Sequence, residues 1–402
     1  MSQIELLGIS HPALTVEQEG LLGRCAVIVA SRRHRPLVAG LGRPLIDIAP
    51  LAAMLGAVEE GLLAGDVAVL ASGDPLFYGI GRTLIERFGP KRITVHPALS
   101  AVQLFCARFR LPWDDLALLS LHGRPGNDIP GRVLRHDRVL LFTDTRNSPD
   151  RVAATLLAAL TECEDHARIA TLRIRVAENL GLADERLTTG SLAEIAALTF
   201  VPLNLMLVEQ PPRPETFHFG LTESEIHHSR GLITKDEVRA ATLHRLRLPT
   251  SGVLWDIGGG SGSISLEAAR LSPDLTIFTI EKNPEAQANI RANIKKYGAY
   301  NIHLISGEAP EALEGLPTPD RIFIGGSGKR LPAIIETAVT RLAEGGRIVI
   351  NAVLASTEAT ALQCLQRLQL KVASSNLAVT RREYPSGEPR VFNPITLITG
   401  DK

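Results

Sequence analysis

At 402 residues the chain is too long for one ordinary hydrophobic core and predicts two domains, or three small ones. Its 45% hydrophobic and 21% charged residues are the mix of a globular chain, and a formal net charge of zero supplies no overall attraction to nucleic acid or anionic lipid. Aromatic residues at 4% argue against a stacking platform for single-stranded nucleic acid.

The opening MSQIELLGIS lacks the basic segment and apolar run of a signal peptide, and no apolar stretch approaches the roughly 20 residues of a membrane span. Cys25, Cys106, Cys163 and Cys364 are scattered without a CxxC pair. Free thiols in a reducing cytoplasm are the plain expectation, with no metal site and no disulfide framework.

In the first half, short Val/Ile/Leu runs alternate with helical stretches: CAVIVAS at 25–31, DVAVLASGDP at 66–75, RITVHP at 92–97 and RVLLFTD at 138–144. Such runs read as buried parallel strands, and their alternation with helices predicts an α/β layer fold. RLPWDDL at 110–116 suggests a subdivision, so residues 1–210 are expected as a domain of two lobes, about 1–111 and 112–210. The proline-rich EQPPRPETFHFG at 209–220 cannot continue a strand or helix and reads as a semi-rigid linker, placed at 211–230.

Residues 231–402 form the second expected domain. Thr234 with Glu237 has the spacing of a capping box, opening a helix to about Arg247. Strands are predicted at 253–257, 276–281, 302–306, 321–325 and 347–353. Two late β-like runs, KVASSNLAVTR and RVFNPITLITG, complete a doubly wound sheet with an antiparallel addition.

The run VLWDIGGGSGSISLEAARL at 253–271 concentrates the chemistry. Its first strand delivers Asp256, followed by Gly258, Gly259, Gly260, Ser261 and Gly262. Glycines permit positive φ and close approach of backbone N–H groups to a ligand, and the next helix adds the positive end of its dipole. The dinucleotide fingerprint G-x-G-x-x-G fails, because its third glycine falls on Ser263. The spacing D-x-G-x-G-x-G instead resembles motif I of the class I S-adenosylmethionine-dependent methyltransferases. Glu281 ends the second strand about 20 residues on, where an acid binds both ribose hydroxyls. The resemblance places Glu308 and Ala309, after the third strand, against the adenine. FIGGSGKRL at 323–331 carries Gly325-Gly326-Ser327-Gly328 where enzymes that methylate amino groups of DNA or glutamine carry an Asn/Asp-Pro-Pro-aromatic turn, which argues against those substrates.

VLASGDPLFYGIG at 69–81 is, taken alone, a strand-to-helix turn carrying Asp74 and Pro75. It resembles the Gly-Asp-Pro region of the tetrapyrrole (corrin/porphyrin) methylases. HPALSAVQLFCARFRLPWDDLALLSLHGR at 96–124, FTDTRNSPDRVA at 142–153, VAENLGLADERLTTGSLAEI at 176–195 and PLNLMLVE at 202–209 extend the likeness to the branch acting on precorrin-6B. LITKDEVRA, LWDIGGGSGS and RIFIGGSG in the second half resemble the partner enzyme of the same step. One departure stands out. Where the family has a G-x-G-P-G loop after the first strand, this chain has Gly8-Ile9-Ser10-His11-Pro12-Ala13.

The resemblance implies a bifunctional enzyme of cobalamin biosynthesis in the cytoplasm, a homo-oligomer with S-adenosylmethionine as cofactor and precorrin-6B as small-molecule substrate. C5 would be methylated by the first half. C15 methylation and removal of the C12 acetate carboxyl as CO2 fall to the second, giving precorrin-8X. Implied cofactor contacts are Gly73, Asp74, Tyr78, Ser100 and Ala101 in the first half. In the second they are Thr234, Asp256, Gly258, Gly259, Gly260, Ser261, Gly262, Glu281, Glu308 and Ala309. Substrate acetates and propionates direct attention to Arg124, Lys329, Arg330, Arg381, Arg382 and Arg390. His11 is a substrate contact, an acid-base group or merely exposed. Asn351 and Asn393 match family positions near the cleft, or make turns. The rival readings are a methyltransferase acting on RNA or protein, which predicts a basic stripe and exposed aromatics, and a tetrapyrrole sensor that binds without turnover.

Overall fold

The computed structural model describes residues 2–122, 128–212 and 219–402. Five parallel strands, β1 (Ile4–Ile9), β2 (Val27–Ala30), β3 (Leu45–Asp47), β4 (Val67–Ser72) and β5 (Ile93–His96), make the first sheet in the order β3-β2-β4-β1-β5. Successive residues such as Leu6 and Leu7, or Val69 and Leu70, are all buried because helices cover both faces. Met54, Val58 and Leu84 come from helices on one side, Leu22 and Val38 from the other.

The second sheet holds β6 (Ala117–Ser120), β7 (Arg138–Phe142), β8 (Arg173–Glu178), β9 (Arg186–Gly190) and β10 (Asn204–Glu209), ordered β6-β7-β10-β8-β9. Among the described residues only its β6–β7 pair is parallel, so the expectation of parallel strands fails for the rest of this sheet: RVLLFTD, as β7, runs antiparallel to β10. The helix Ala101–Phe109 leaves the first sheet and packs Val102, Phe105 and Cys106 onto Leu140, Leu205 and Leu207 of the second. That contact sets the two sheets side by side.

The third sheet contains β11 (Ser251–Ile257), β12 (Asp274–Glu281), β13 (Ile302–Ser306), β14 (Arg321–Ile324), β15 (Arg347–Ala352) and β16 (Lys371–Leu377). After a separate two-stranded arm of β17 (Thr380–Arg382) and β18 (Pro389–Val391), β19 (Ile395–Asp401) returns to it. The order β13-β12-β11-β14-β15-β19-β16 is the doubly wound sheet with its antiparallel addition, since β19 runs against both β15 and β16. Strand order reverses between β11 and β14, so the loops that follow them diverge and open a crevice at the carboxyl ends.

One local expectation is corrected. The helix after the linker spans Asp236–Leu246 with Lys235 as N-cap, and no side chain caps it. Glu237 cannot reach back to Thr234, because its carboxylate accepts two hydrogen bonds from Arg381 at 3.1 and 2.8 Å. The linker's residues 213–218 lie outside the described residues.

The second and third sheets share one apolar core. Leu160, Leu172 and Met206 belong to the same buried cluster as Ile294, Tyr300 and Ile302. Polar contacts edge it: Tyr300 Oη donates to Asp165 Oδ2 at 2.6 Å, and Arg135 Nη1 lies 2.7 Å from Asp274 Oδ1. Backbones approach closely there, for a Cβ on Gly131 would sit 2.6 Å from Asn301 Cβ.

Candidate active sites

At the end of β11, Gly258, Gly260 and Gly262 adopt φ of +72°, +58° and +72°. The N–H groups of Gly258 and Gly259 donate to Ile280 O at 2.9 and 3.1 Å, tying the loop to β12. Gly262 then caps the helix Ser263–Leu271, whose first two residues line the crevice. Asp256 has a different place from the one expected. Its side chain is fully buried beneath the loop and accepts a 2.5 Å hydrogen bond from Ser265 Oγ, which is 2.6 Å from Thr279 Oγ1. Burial pushes the Asp256 carboxyl up to about 6. It lies beneath the loop and is not among the residues that line the adjoining cavity.

Glu281 ends β12 and accepts from Gly260 N and Asn283 N, each at 2.8 Å. Strand-end acid and glycine loop are thus joined directly. Together they wall a cavity of about 780 Å³. Thr234, Gly258, Gly259, Gly260, Ser261, Glu281, Glu308, Ala309, Asn351 and Asn393 all line it. Gly262 sits behind the lining, where a Cβ would approach Ile290 Cγ1 to 3.1 Å. The Glu308 carboxylate is 2.7 Å from Lys282 Nζ, and the Asn351 amide donates to Thr242 Oγ1 at 2.9 Å.

The candidate cations are placed elsewhere. None of Lys329, Arg330, Arg381, Arg382 or Arg390 lines this cavity. Arg330 pairs with Glu311, Arg381 with Glu237 and Glu223, and Arg382 Nη1 donates to Gly387 O at 2.9 Å. The Arg390 guanidinium lies 5.0 Å from the centre of the Phe392 ring. Arg124 lies outside the described residues. Ile233, Lys235, Ser263, Val353 and Phe392 line the cavity without having been singled out. The neighbouring Asn393-Pro394 turn was the only signal for Phe392.

In the first half, three loops converge at the carboxyl ends of β1, β4 and β5. Gly73, at φ +65°, donates from its N–H to Ile9 O at 2.8 Å. A Cβ on Gly8 would lie 2.2 Å from Gly73 O and 2.7 Å from Ala98 N, and one on Gly73 would lie 3.3 Å from Ser100 Cα. Gly8, Gly73, Ser100 and the adjoining Ala101 are therefore brought together. Asp74 Oδ1 accepts from Leu76 N at 2.9 Å, and Ser100 forms a capping box with Gln103. Those side chains shape the turn and start the helix. Tyr78, at φ +51° and 64% exposed, packs 5.0 Å from the ring of Phe142 at the end of β7, so it stands where the two lobes meet. His11 is exposed on the turn after β1.

Among the described residues no group of three or more His, Cys, Asp or Glu is placed to hold a metal ion, and no helix is long and apolar enough to cross a membrane.

The open sheet, its glycine loop and the acid ending the next strand define a class I methyltransferase domain, preceded by a two-sheet α/β region. Residues 7–196 match the family of tetrapyrrole (corrin/porphyrin) methylases, and residues 225–399 match the precorrin methyltransferase domain. A precorrin-6Y C(5,15)-methyltransferase [decarboxylating] of Sinorhizobium sp is 36% identical over 390 residues, covering 95% of this chain and 91% of that protein. A probable cobalt-precorrin-6B C(15)-methyltransferase (decarboxylating) of Pyrobaculum calidifontis is 36% identical over 185 residues, 45% of this chain and 94% of that protein. A solved precorrin-6y C5,15-methyltransferase structure from Geobacter metallireducens is 42% identical and covers 46% of this chain and 96% of that one, with a TM-score of 0.45. The chain belongs to the precorrin-6Y C(5,15)-methyltransferase (decarboxylating) family.

Proposed function

We propose that the chain methylates C5 and C15 of precorrin-6B with S-adenosylmethionine and removes the C12 acetate carboxyl as CO2, giving precorrin-8X. Residues 1–210 act as the tetrapyrrole methylase domain, 211–230 as the linker and 231–402 as the class I domain. C5 belongs to the first and C15 with decarboxylation to the second. The enzyme works in the cytoplasm as a homo-oligomer.

The observation that carries this reading is the joining of Glu281 to Gly260 N at 2.8 Å within the cavity of about 780 Å³. The lining fits the cofactor by its chemistry: Glu281 offers a carboxylate to ribose hydroxyls, and Ile257, Ile264 and Ile280 supply apolar walls. When bound, S-adenosylmethionine supplies an electrophilic methyl group. Gly258, Gly259, Gly260 and Ser261 shape the bed beneath it, and Glu308 and Ala309 border the adenine. In the first half Gly73, Asp74, Tyr78, Ser100 and Ala101 play the corresponding parts. A tetrapyrrole bridge carbon is already electron-rich, so each cleft has mainly to hold that carbon in line and exclude water. The apolar walls of Ile257, Ile264 and Ile280 would suit this methyl donor better than ionic clamps.

Incubating the purified protein with precorrin-6B and methyl-labelled S-adenosylmethionine tests this. Two labels per product, at C5 and C15, and one CO2 are expected. Binding of both ligands without transfer would instead identify a sensor and sink the proposal.

A further inference from the structure

Two stretches far apart in the chain wall the second-half cavity: 231–235, just before the helix Asp236–Leu246, and Phe392, just after the β17–β18 arm. The arm has little to hold it. Among the described residues its strands pair only with each other, Val391 is 74% exposed, and no residue of 380–391 joins the buried hydrophobic clusters.

Charge supplies the missing anchorage. Arg381 on β17 donates from Nε and Nη2 to the two oxygens of Glu237 at 3.1 and 2.8 Å, and from Nη1 to Glu223 Oε1 at 3.0 Å. Lys235 Nζ holds the other Glu223 oxygen at 2.5 Å. The cationic groups of Arg381, Lys235 and Arg390 lie 5.2, 5.8 and 5.0 Å from the centre of the Phe392 ring. Arg381 and Glu223 side chains are only 23% and 19% exposed, so the pair is shielded more than a surface ion pair. A planar two-pronged fork also fixes direction, which a single lysine contact does not. The Glu237 carboxyl is held below its usual range by that fork.

We propose that Arg381 is a positioning residue. By gripping Glu237 and Glu223 it clasps the β17–β18 arm to the segment bearing Thr234 and Lys235, and so sets the distance between two walls of the methyl-donor cavity. The inference rests on the reading of that cavity as the S-adenosylmethionine site. Arg381 itself touches neither cofactor nor reacting carbon.

Calorimetric titration of the full chain with S-adenosylhomocysteine, one site per half, tests the clasp. Arg381→Ala weakens the second-half site about tenfold, the scale of losing one charged hydrogen-bonded fork. Arg381→Lys recovers part of that, and first-half binding stays unchanged, which reports that the chain is folded. Glu237→Gln, breaking the contact from the other side, gives a similar loss, and the double variant loses no more than either single one. KM for S-adenosylmethionine in C15 methylation rises while kcat changes less than threefold. Equal affinity of Arg381→Ala and wild type, or additive losses in the double variant, overturns the clasp. A Gly260→Asp variant separates the two ideas: if it still binds two equivalents as wild type does, the cavity is not the cofactor site, and both readings fall.

Discussion

A Cβ placed on Gly258 would lie 2.2 Å from the carbonyl oxygen of Gly326, while one on Gly326 would stay 3.7 Å from the carbonyl oxygen of Gly258. The two glycine loops touch, and of these two positions only Gly258 forbids a side chain. Gly258 also has φ +72°. Gly258→Ala should displace the loop and lower C15 methylation by about two orders of magnitude, the cost of an ångström-scale misplacement. Gly326→Ala should stay within about tenfold of wild type, because its methyl meets only ordinary van der Waals contact. Rates of label appearance at C15 check this, and equal loss in both variants would contradict it.

The first half offers the matching test. Gly8 has less room than Gly73, with backbone atoms 2.2 and 2.7 Å from its Cβ position against 3.3 Å. Gly8→Ala should abolish C5 labelling and leave labelling at C15 measurable. Gly73→Ala, strained by its φ of +65° but less crowded, should retain a few per cent at C5. NMR of the product locates the label, and loss at C15 alone would reverse the assignment.

Asp256 predicts a pH dependence of known sign. Burial, with the nearby charge of Glu281, raises its carboxyl from 3.8 to about 6, against the opposing hydrogen bond from Ser265. The folded state then binds a proton more tightly than the unfolded one, so this group's contribution is most favourable below about pH 4 and declines as pH rises to about 6, by about 3 kcal/mol in all. Asp256→Asn removes that decline. Urea unfolding at pH 4.5 and pH 7 should show the variant gaining on wild type at the higher pH, and parallel profiles would refute the assignment.

At the boundary between the second and third sheets, Tyr300 donates to the buried Asp165 Oδ2 at 2.6 Å. Asp165 Oδ1 accepts from Arg168 N at 3.2 Å, so Tyr300→Phe leaves one carboxylate oxygen without its donor. The loss should be about 1–3 kcal/mol, read as a lower urea midpoint with an unchanged slope. A midpoint equal to that of wild type would mean that water replaces the hydroxyl.

The strands β2, β4 and β7 were legible because buried strands write themselves as aliphatic runs, as in VIVA and VAVLA, whereas the short β3 and β6 and the polar-interrupted β8 and β9 carry no such run. The glycine loop and Glu281 were legible for a related reason: both sit at fixed distances along the chain from one strand end. Arg381 was not. Its partners Glu237 and Glu223 lie 144 and 158 residues away, and nothing local distinguishes it from a solvated arginine suited to a substrate carboxylate. The same distant contact undid the capping box, since the acid expected to close it was already engaged. Asp256 shows a third limit, because strand alternation marks a residue as inward without telling floor from wall.

Gly131 meets Asn301 with no space for a side chain between them, and the apolar cluster passes unbroken from one domain to the next at that seam. Separating the halves at the linker would open this shared cluster. Each fragment would carry a greasy scar where its neighbour had been, and free-standing existence would demand resurfacing around Ile302 and Leu160. A chain joined this way holds its second and third sheets at one bearing to each other.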